Sequence, residues 1–467
     1  MIAAAIHCNA ANYLRVNQIG YLVDDVKVAV IMMEHGDAPT SFCVVNADSG
    51  KKTVMHSVKP TGEFAGFAQT ARLDFSKVKT PGTYYITAAG AKSSSFRIAN
   101  DAYAGAQEVP LNYMRQQRCG WNPLMRDSCH RYDGRLQLCG DRDGEHVDVR
   151  GGWHDASDYL QYLTTSANAV YQMLFAYSQN PSVWADNFQA DGTEGANGIP
   201  DILDEARWGL EWMLKMQDEN GGVHHKVTCE NFPGYVMPEM ETNPLILTPV
   251  TTTATADFCA AMAMAYEYYQ AFDPDFAKTC LDAATKAWDF LQKNPNLIYQ
   301  NPTDITTGDY GDYSDTDERY WAAAQMWRST GEDTYFTALK EMRVQTGMDW
   351  KLVGDYGNIA ILTMPNADTS SDVYLRAKSA VLAEAEKFSK TEQSTPYGVS
   401  VSPFNWGSNM TVANAGVISQ LAYLISDNSD YAQTSKSNLH YLLGSNPLGE
   451  CFVTGYGTVS PEHPHHR

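Results

Sequence analysis

Two carboxylates three residues apart, Asp155 and Asp158, stand in the segment Gly151-Gly152-Trp153-His154-Asp155-Ala156-Ser157-Asp158-Tyr159, where a glycine-rich turn gives way to helical spacing. Leu160, Leu163, Ala167, Val170 and Leu174 recur on one face, which predicts a helix over residues 158–177 with Asp155 in the preceding turn and Asp158 at its start. So placed, their oxygens can converge on one point. Carboxylates that share a site raise each other's pKa and can bind, orient and deprotonate a water, the general-base half of inverting glycoside hydrolysis. The same pair could equally be a helix N-cap and a charge favoured by the helix dipole, and these residues alone leave both readings open.

A second stretch lies at the other end of the chain, Cys451 to Arg467, and closes on Pro464-His465-His466-Arg467. Together with the double-Asp segment it resembles glycoside hydrolase family 9, the inverting cellulases. Arg15-Val16-Asn17-Gln18-Ile19-Gly20-Tyr21 is similar to the opening strand of the immunoglobulin-like module that precedes some of these catalytic domains, so the resemblance spans nearly the whole chain. It departs at Val459, where the family usually has Asn, Lys or Arg.

The resemblance implies an endo-β-1,4-glucanase in which Asp158 is the base and Asp155 grips the same water. A cellobiohydrolase, a xyloglucan or mixed-linkage glucanase, or a non-hydrolytic glycan-binding fragment are the alternatives. It implies substrate contacts from His465 and Arg467 and, in the loop Phe404-Asn405-Trp406-Gly407-Ser408-Asn409, an aromatic platform at Trp406; Trp121, Tyr235 and Trp321 are weaker candidates. The family's general acid is a Glu downstream of Pro-His-x-Arg, so the acid and the last barrel helix are expected beyond Arg467. Glu450 and Glu462 read as ordinary loop residues.

Two metal sites can be read from donor types. Cys119, Cys129, His130 and His154 form a Cys2His2 set of the composition zinc prefers, and His154 directly precedes Asp155. Cys139 competes as a ligand, and plain buried thiols would also account for these cysteines. The acidic run from Thr307 to Glu318 offers Asp309, Asp312, Asp317 and Glu318 as hard oxygen ligands suited to calcium. It resembles a calcium loop of the family that ends in Asp-Glu at a helix start, although a solvated helix N-terminus explains much of the same acidity.

Composition sets the frame for these sites. The chain has 467 residues, 44% hydrophobic, enough for two or three domains with large cores. Lys and Arg number 34 against 55 Asp and Glu, a net charge of −21, which argues against nucleic acid or an anionic membrane as partner and suits a neutral polysaccharide. No run has the length of a transmembrane helix, and the first residues lack a complete signal peptide. Residues 1–12 read as a leader remnant or disordered, and secretion is inferred from the substrate class. Nine cysteines at scattered spacing do not form a disulfide framework. No phosphate-binding glycine loop points to an organic cofactor. A monomer is expected.

The elements that must position these residues divide into two kinds. Over residues 13–100, β-branched runs at 14–18, 27–32, 41–45, 71–75, 83–87 and 94–98 alternate with turn-rich pieces, as in an Ig-like β-sandwich. Beyond residue 103, apolar residues at helical spacing predict helices at 158–177, 201–217, 253–270, 274–292, 316–328, 334–346, 371–388, 410–425 and 430–443. Periodicity alone yields a mostly α domain; the resemblance implies an (α/α)6 barrel over 103–467, lacking its C-terminal end.

Overall fold

A computed structural model describes residues 11–156 and 158–464. They fall into two compact units, the chain up to Ala106 together with Val381–Pro464, and Gln107–Ala380.

The first unit contains a β-sandwich. One sheet has the order β1 (Asn12–Arg15), β3 (Val28–Met33), β7 (Phe67–Asp74), β6 (Val58–Phe64), all antiparallel. The other has the order β2 (Gly20–Tyr21), β10 (Phe96–Ile98), β8 (Gly82–Ala88), β4 (Phe42–Asn46), β5 (Lys52–Met55), with β9 (Ala91–Lys92) on β8. Between them lie Ile31, Phe42, Leu73, Ile86 and the edge-to-face rings of Tyr21, Phe75 and Phe96. Strand β3 reads Val-Ala-Val-Ile-Met-Met because both its faces are covered. Ala29, Ile31 and Met33 point into the sandwich, while Val30 and Met32 pack on Tyr397, Val399, Val401, Val412 and Tyr441.

Strands β5 and β6 were not predicted. Both are mostly exposed, and β6 carries Pro60, Gly62 and two register irregularities, so neither has the alternating apolar pattern from which strands are recognised.

The second unit is helical: α1 (Glu108–Gln116), α2 (Leu163–Gln179), α3 (Asp201–Lys215), α4 (Thr252–Tyr269), α5 (Pro274–Lys293), α6 (Thr316–Thr330), α7 (Asp333–Glu341) and α8 (Gly354–Leu362). Helix α9 (Asp372–Ser394) crosses into the first unit, which holds α10 (Ser408–Ser426) and α11 (Ser429–Leu442). Helices α2, α4, α6 and α8 pack in succession, and α3, α5 and α7 each lie against one of them. This is the inner and outer alternation of an (α/α)6 barrel.

Sequence separates the two layers. Helix α4 is buried on nearly every side and rich in alanine, which lets neighbours approach from all directions. Helix α5 buries one stripe, Phe276, Cys280, Ala283, Ala284, Ala287 and Leu291, and keeps lysines and aspartates outside. Asp273 caps it by accepting from the Phe276 N–H, with Pro274 at the first helical position. Helix α8, Gly-Asp-Tyr-Gly-Asn-Ile-Ala-Ile-Leu, is wholly buried; its polar start and two glycines hid it from periodicity.

The largest correction concerns the double-Asp segment. Helix α2 begins at Leu163, not at Asp158, and a short strand, Gln161–Tyr162, intervenes. That strand joins a sheet with Lys226–Thr228, Ile246–Leu247, Gly134–Leu136 and His146–Val147. Asp155 and Asp158 therefore share a turn, and a cap or dipole role on α2 does not account for them.

Candidate active site

The turn that carries the carboxylates is clamped by helix α3. Trp153 donates its indole N–H to Glu205 Oε1 at 2.7 Å, and Glu205 is held by Arg118 at 2.7 Å in an ion pair with both side chains buried. Trp208 donates to the Gly152 carbonyl at 2.8 Å and Trp212 to the Val149 carbonyl at 3.2 Å. The Trp153 ring lies on Gly209, where a Cβ would stand 2.0 Å from it, so only glycine admits this contact. The acids at the start of α3 thus do more than complement the helix dipole. Asp201 accepts the N–H groups of Asn187 and Phe188, and Asp204 accepts from Asn197.

Within the turn, the Asp155 N–H donates to the Leu160 carbonyl at 2.7 Å, and Asp158 Oδ1 accepts the Leu160 N–H at 3.0 Å. The tight loop between them places Ala156 and Tyr159 in the left-handed region, at φ 46° and 62°. The Asp155 carboxylate takes two side-chain donors, Thr165 Oγ1 on Oδ1 at 3.1 Å and the Tyr310 hydroxyl on Oδ2 at 2.7 Å. Burial pushes the Asp155 carboxyl up, and the bonds from Tyr310 and Thr165 partly offset it. Burial and the adjacent Asp155 raise the Tyr310 phenol, which therefore keeps its proton and donates.

Tyr310 leans over Tyr162 with ring centroids 4.0 Å apart, on a cluster of Leu160, Tyr162 and Cys229. Its loop is anchored by Lys226, whose ammonium donates to Asn301 Oδ1 at 2.8 Å and to the Gly308 carbonyl at 2.6 Å. Burial brings this amine down to about 8, against the opposing pull of Asp309, Asp158 and Cys229. Lys226 and Tyr310 escaped the sequence reading because each acts through a partner far away in the chain.

The proposed zinc ligands do come together. Ligand atoms of Cys119, Cys129, His130 and His154 all lie within 4.8 Å of one another, and Cys129 Sγ is 3.5 Å from His154 Nε2. A tetrahedral ion with roughly 2.3 Å Zn–S and 2.0–2.1 Å Zn–N bonds fits such spacing. Two further observations suit a metal: His130 Nδ1 is buried without a partner, and burial holds His154 toward its neutral, ligating form. The bond from Cys119 and the two imidazoles push the Cys129 thiol down, while Cys119 is pushed up. Cys139 stands outside the group, donating to the Gln137 carbonyl. All cysteines among the described residues are free thiols.

The acidic loop resolves differently. Asp309 accepts the Asn301 N–H at 2.8 Å and belongs to the Lys226 network. Asp312, Asp317 and Glu318 instead lie within electrostatic reach of Asp257 of α4, which the sequence did not suggest because it sits in the middle of a buried helix. Burial and mutual repulsion raise Asp257, Asp317 and Glu318, and one oxygen each of Asp257, Asp312 and Glu318 is buried without a partner. Unpartnered buried carboxyl oxygens of this kind suit a hard cation.

Trp406 projects into solvent, 97% exposed, from a loop in the first unit where Phe404 stacks on Tyr441. Trp321 is fully buried in core and is not a sugar platform; Tyr235 is 88% exposed. His465 and Arg467 lie outside the described residues.

Residues 103–467 match the sequence family Glycosyl hydrolase family 9, and residues 9–93 match the Cellulase N-terminal ig-like domain. The chain belongs to glycosyl hydrolase family 9. It is therefore a glycoside hydrolase, and endoglucanases are among its relatives. Endoglucanase D of Acetivibrio thermocellus is 32% identical over 97% of this chain and 74% of its own length. The xyloglucan-specific endo-beta-1,4-glucanase BoGH9A of Bacteroides ovatus is 32% identical over 97% and 82%. Among solved structures, a metagenome-derived family 9 endoglucanase superposes with a TM-score of 0.88 at 31% identity, over 97% of this chain and 87% of that one. Among the described residues no helix is long and apolar enough to cross a membrane.

Proposed function

We propose that this family 9 enzyme is a secreted, monomeric endo-β-1,4-glucanase that hydrolyses with inversion, its water activated by Asp158 and oriented by Asp155. The observation that carries this reading is the shared turn in which Asp155, held by Thr165 and Tyr310, stands beside Asp158. Both oxygens of Asp155 already accept a donor, so this carboxylate is fixed in orientation and suited to gripping a water. Asp158 then takes the proton as the water oxygen attacks the anomeric carbon opposite the leaving oxygen, while a second carboxyl, roughly 6.5–9.5 Å away in inverting enzymes, protonates that oxygen.

His465 and Arg467 are assigned to substrate hydroxyls and Trp406 to stacking on a sugar face. Zinc, held by Cys119, Cys129, His130 and His154, braces the segment leading into Asp155. Calcium, on Asp257, Asp312, Asp317 and Glu318, neutralises buried acids. Both are structural.

Proton NMR of a cellohexaose digest tests the reading. α-Anomer should appear first, and Asp158→Ala should lower turnover by about 10³-fold or more, as loss of a general base in a water-activating site does. Initial β-anomer, or full activity in Asp158→Ala, would overturn it.

A further inference from the structure

Lys226 is a buried cation for which the hydrolysis described above has no direct use. It lies on the strand beside Gln161–Tyr162, is 0% exposed, and stands 5.5 Å from the Tyr162 ring centroid and 5.1 Å from that of Tyr299. Among the described residues it has no carboxylate within ion-pair distance; its donors go to Asn301 Oδ1, the Gly308 carbonyl and, at 3.5 Å, Thr307 Oγ1. All three acceptors belong to the one loop that carries Tyr310.

The rest of that loop is tied to the same strand and to itself. Thr228 and Thr307 share a hydroxyl bond of 2.7 Å, Asn301 Nδ2 donates to the Thr307 carbonyl at 2.6 Å, and His225 Nε2 lies 3.2 Å from the Asp309 carbonyl. At Gly308 a Cβ would stand 2.8 Å from the Tyr310 ring and 2.9 Å from the Tyr162 hydroxyl, so the peptide Lys226 holds is pressed against these two tilted rings. Tyr310 itself sits at φ 47°, a left-handed conformation that costs a tyrosine energy and persists only where surrounding bonds impose it. The ordered path is Lys226 ammonium, Gly308 carbonyl, Tyr310 hydroxyl, Asp155 Oδ2.

We propose that Lys226 is a positioning residue for hydrolysis, which by pinning the Gly308 peptide holds the Tyr310 hydroxyl on Asp155. The inference rests on the reading of Asp155 and Asp158 as the water-activating pair. A buried donor bound to several acceptors of one loop is a fixed strut, since releasing it would leave a desolvated ammonium and unpaired carbonyls.

The test measures kcat and KM on cellohexaose, with thermal midpoints, for the full chain and for Lys226→Met, Lys226→Gln, Tyr310→Phe and Lys226→Met/Tyr310→Phe. Asp158→Ala is run alongside, and its inactivity in a folded protein secures the underlying reading independently of Lys226. Lys226→Met should lower kcat about 10–100-fold with KM changed less than about 3-fold, the pattern of an interaction spent on the transition state. Lys226→Gln, which keeps an N–H donor on a side chain one bond shorter, should recover part of that loss. In the Tyr310→Phe background Lys226→Met should cost little more, because the two act through one bond.

Additive losses in the double variant would overturn the proposal and leave Lys226 a purely structural residue. So would a kcat for Lys226→Met equal to wild type. Should Lys226→Met fail to fold, Lys226→Gln and Asn301→Leu, which removes one acceptor and leaves the lysine, carry the same comparison with Tyr310→Phe.

Discussion

Tyr310 donates its hydroxyl proton to Asp155 Oδ2 at 2.7 Å, across 155 positions of sequence. The contact joins the loop before α6 to the turn before α2, so the geometry of the Asp155 carboxylate depends on a residue from a distant loop. It also opposes the effect of burial on Asp155, because a donor to the ionised carboxylate favours that form.

Tyr310→Phe removes this donor and leaves Thr165. Asp155 is then held ionised less well, its pKa rises further, and the acidic limb of the kcat/KM profile moves to higher pH. A hydrogen bond to a charged group is worth about 1.5–3 kcal/mol, enough for the displacement of the limb to be resolved. An acidic limb that stays in place would show that Asp155 does not govern it.

The Cys119, Cys129, His130, His154 cluster should hold one zinc per chain, measurable by atomic absorption. Cys129→Ser should lose the metal and lower the melting temperature by about 5–10 °C, a few kcal/mol in a domain of this size. Equal melting temperatures for wild type with and without a strong chelator would sink the structural role.

Much of this architecture was legible because its signals are local. The helix starts at Asp201 and Pro274 and the strands β4, β7, β8 and β10 each announce themselves within a few residues. The cluster of Cys119, Cys129, His130 and His154 was readable from donor types, although Cys139 as a ligand and plain buried thiols fitted the same sequence, and only the fold sets Cys139 apart. Asp257, Lys226 and Tyr310 were not readable. Each is a polar residue inside a segment whose pattern says core or loop, and its role exists only once distant segments meet. The start of α2 was misplaced because Leu160 fits the helical face although it lies one residue before the strand Gln161–Tyr162.

The buried acids around Asp257 should make stability fall as pH rises when no cation is present. Asp257, Asp317 and Glu318 have folded pKa values raised above the unfolded ones, so protonation stabilises the fold below the ordinary carboxyl range, and this is lost as pH rises through the folded values. Calcium should therefore raise the melting temperature by several degrees at about pH 7 and have little effect at about pH 4, where the site is protonated. Asp257→Asn should stabilise the calcium-free protein at neutral pH and blunt the calcium response. A calcium effect as large at pH 4 as at pH 7 would place the ion elsewhere.

Arg72 of β7 and Glu392 of α9 form an ion pair at 2.9 Å whose side chains are 10% and 2% exposed. The guanidinium also donates to the carbonyls of Glu392, Thr395 and Pro396, gathering the C-terminal end of the helix onto the sheet. Arg72→Met leaves a buried carboxylate and takes a donor from each carbonyl, of which Glu392 keeps the Thr395 hydroxyl and Thr395 keeps the Gly398 N–H; it should cost about 3–5 kcal/mol in denaturant unfolding. Glu392→Gln keeps an acceptor for Arg72 Nη1 and leaves every carbonyl bonded, so it should cost about 1–2 kcal/mol. Equal costs for the two variants would mean that the charge pair, rather than the carbonyl bonds, holds this helix end.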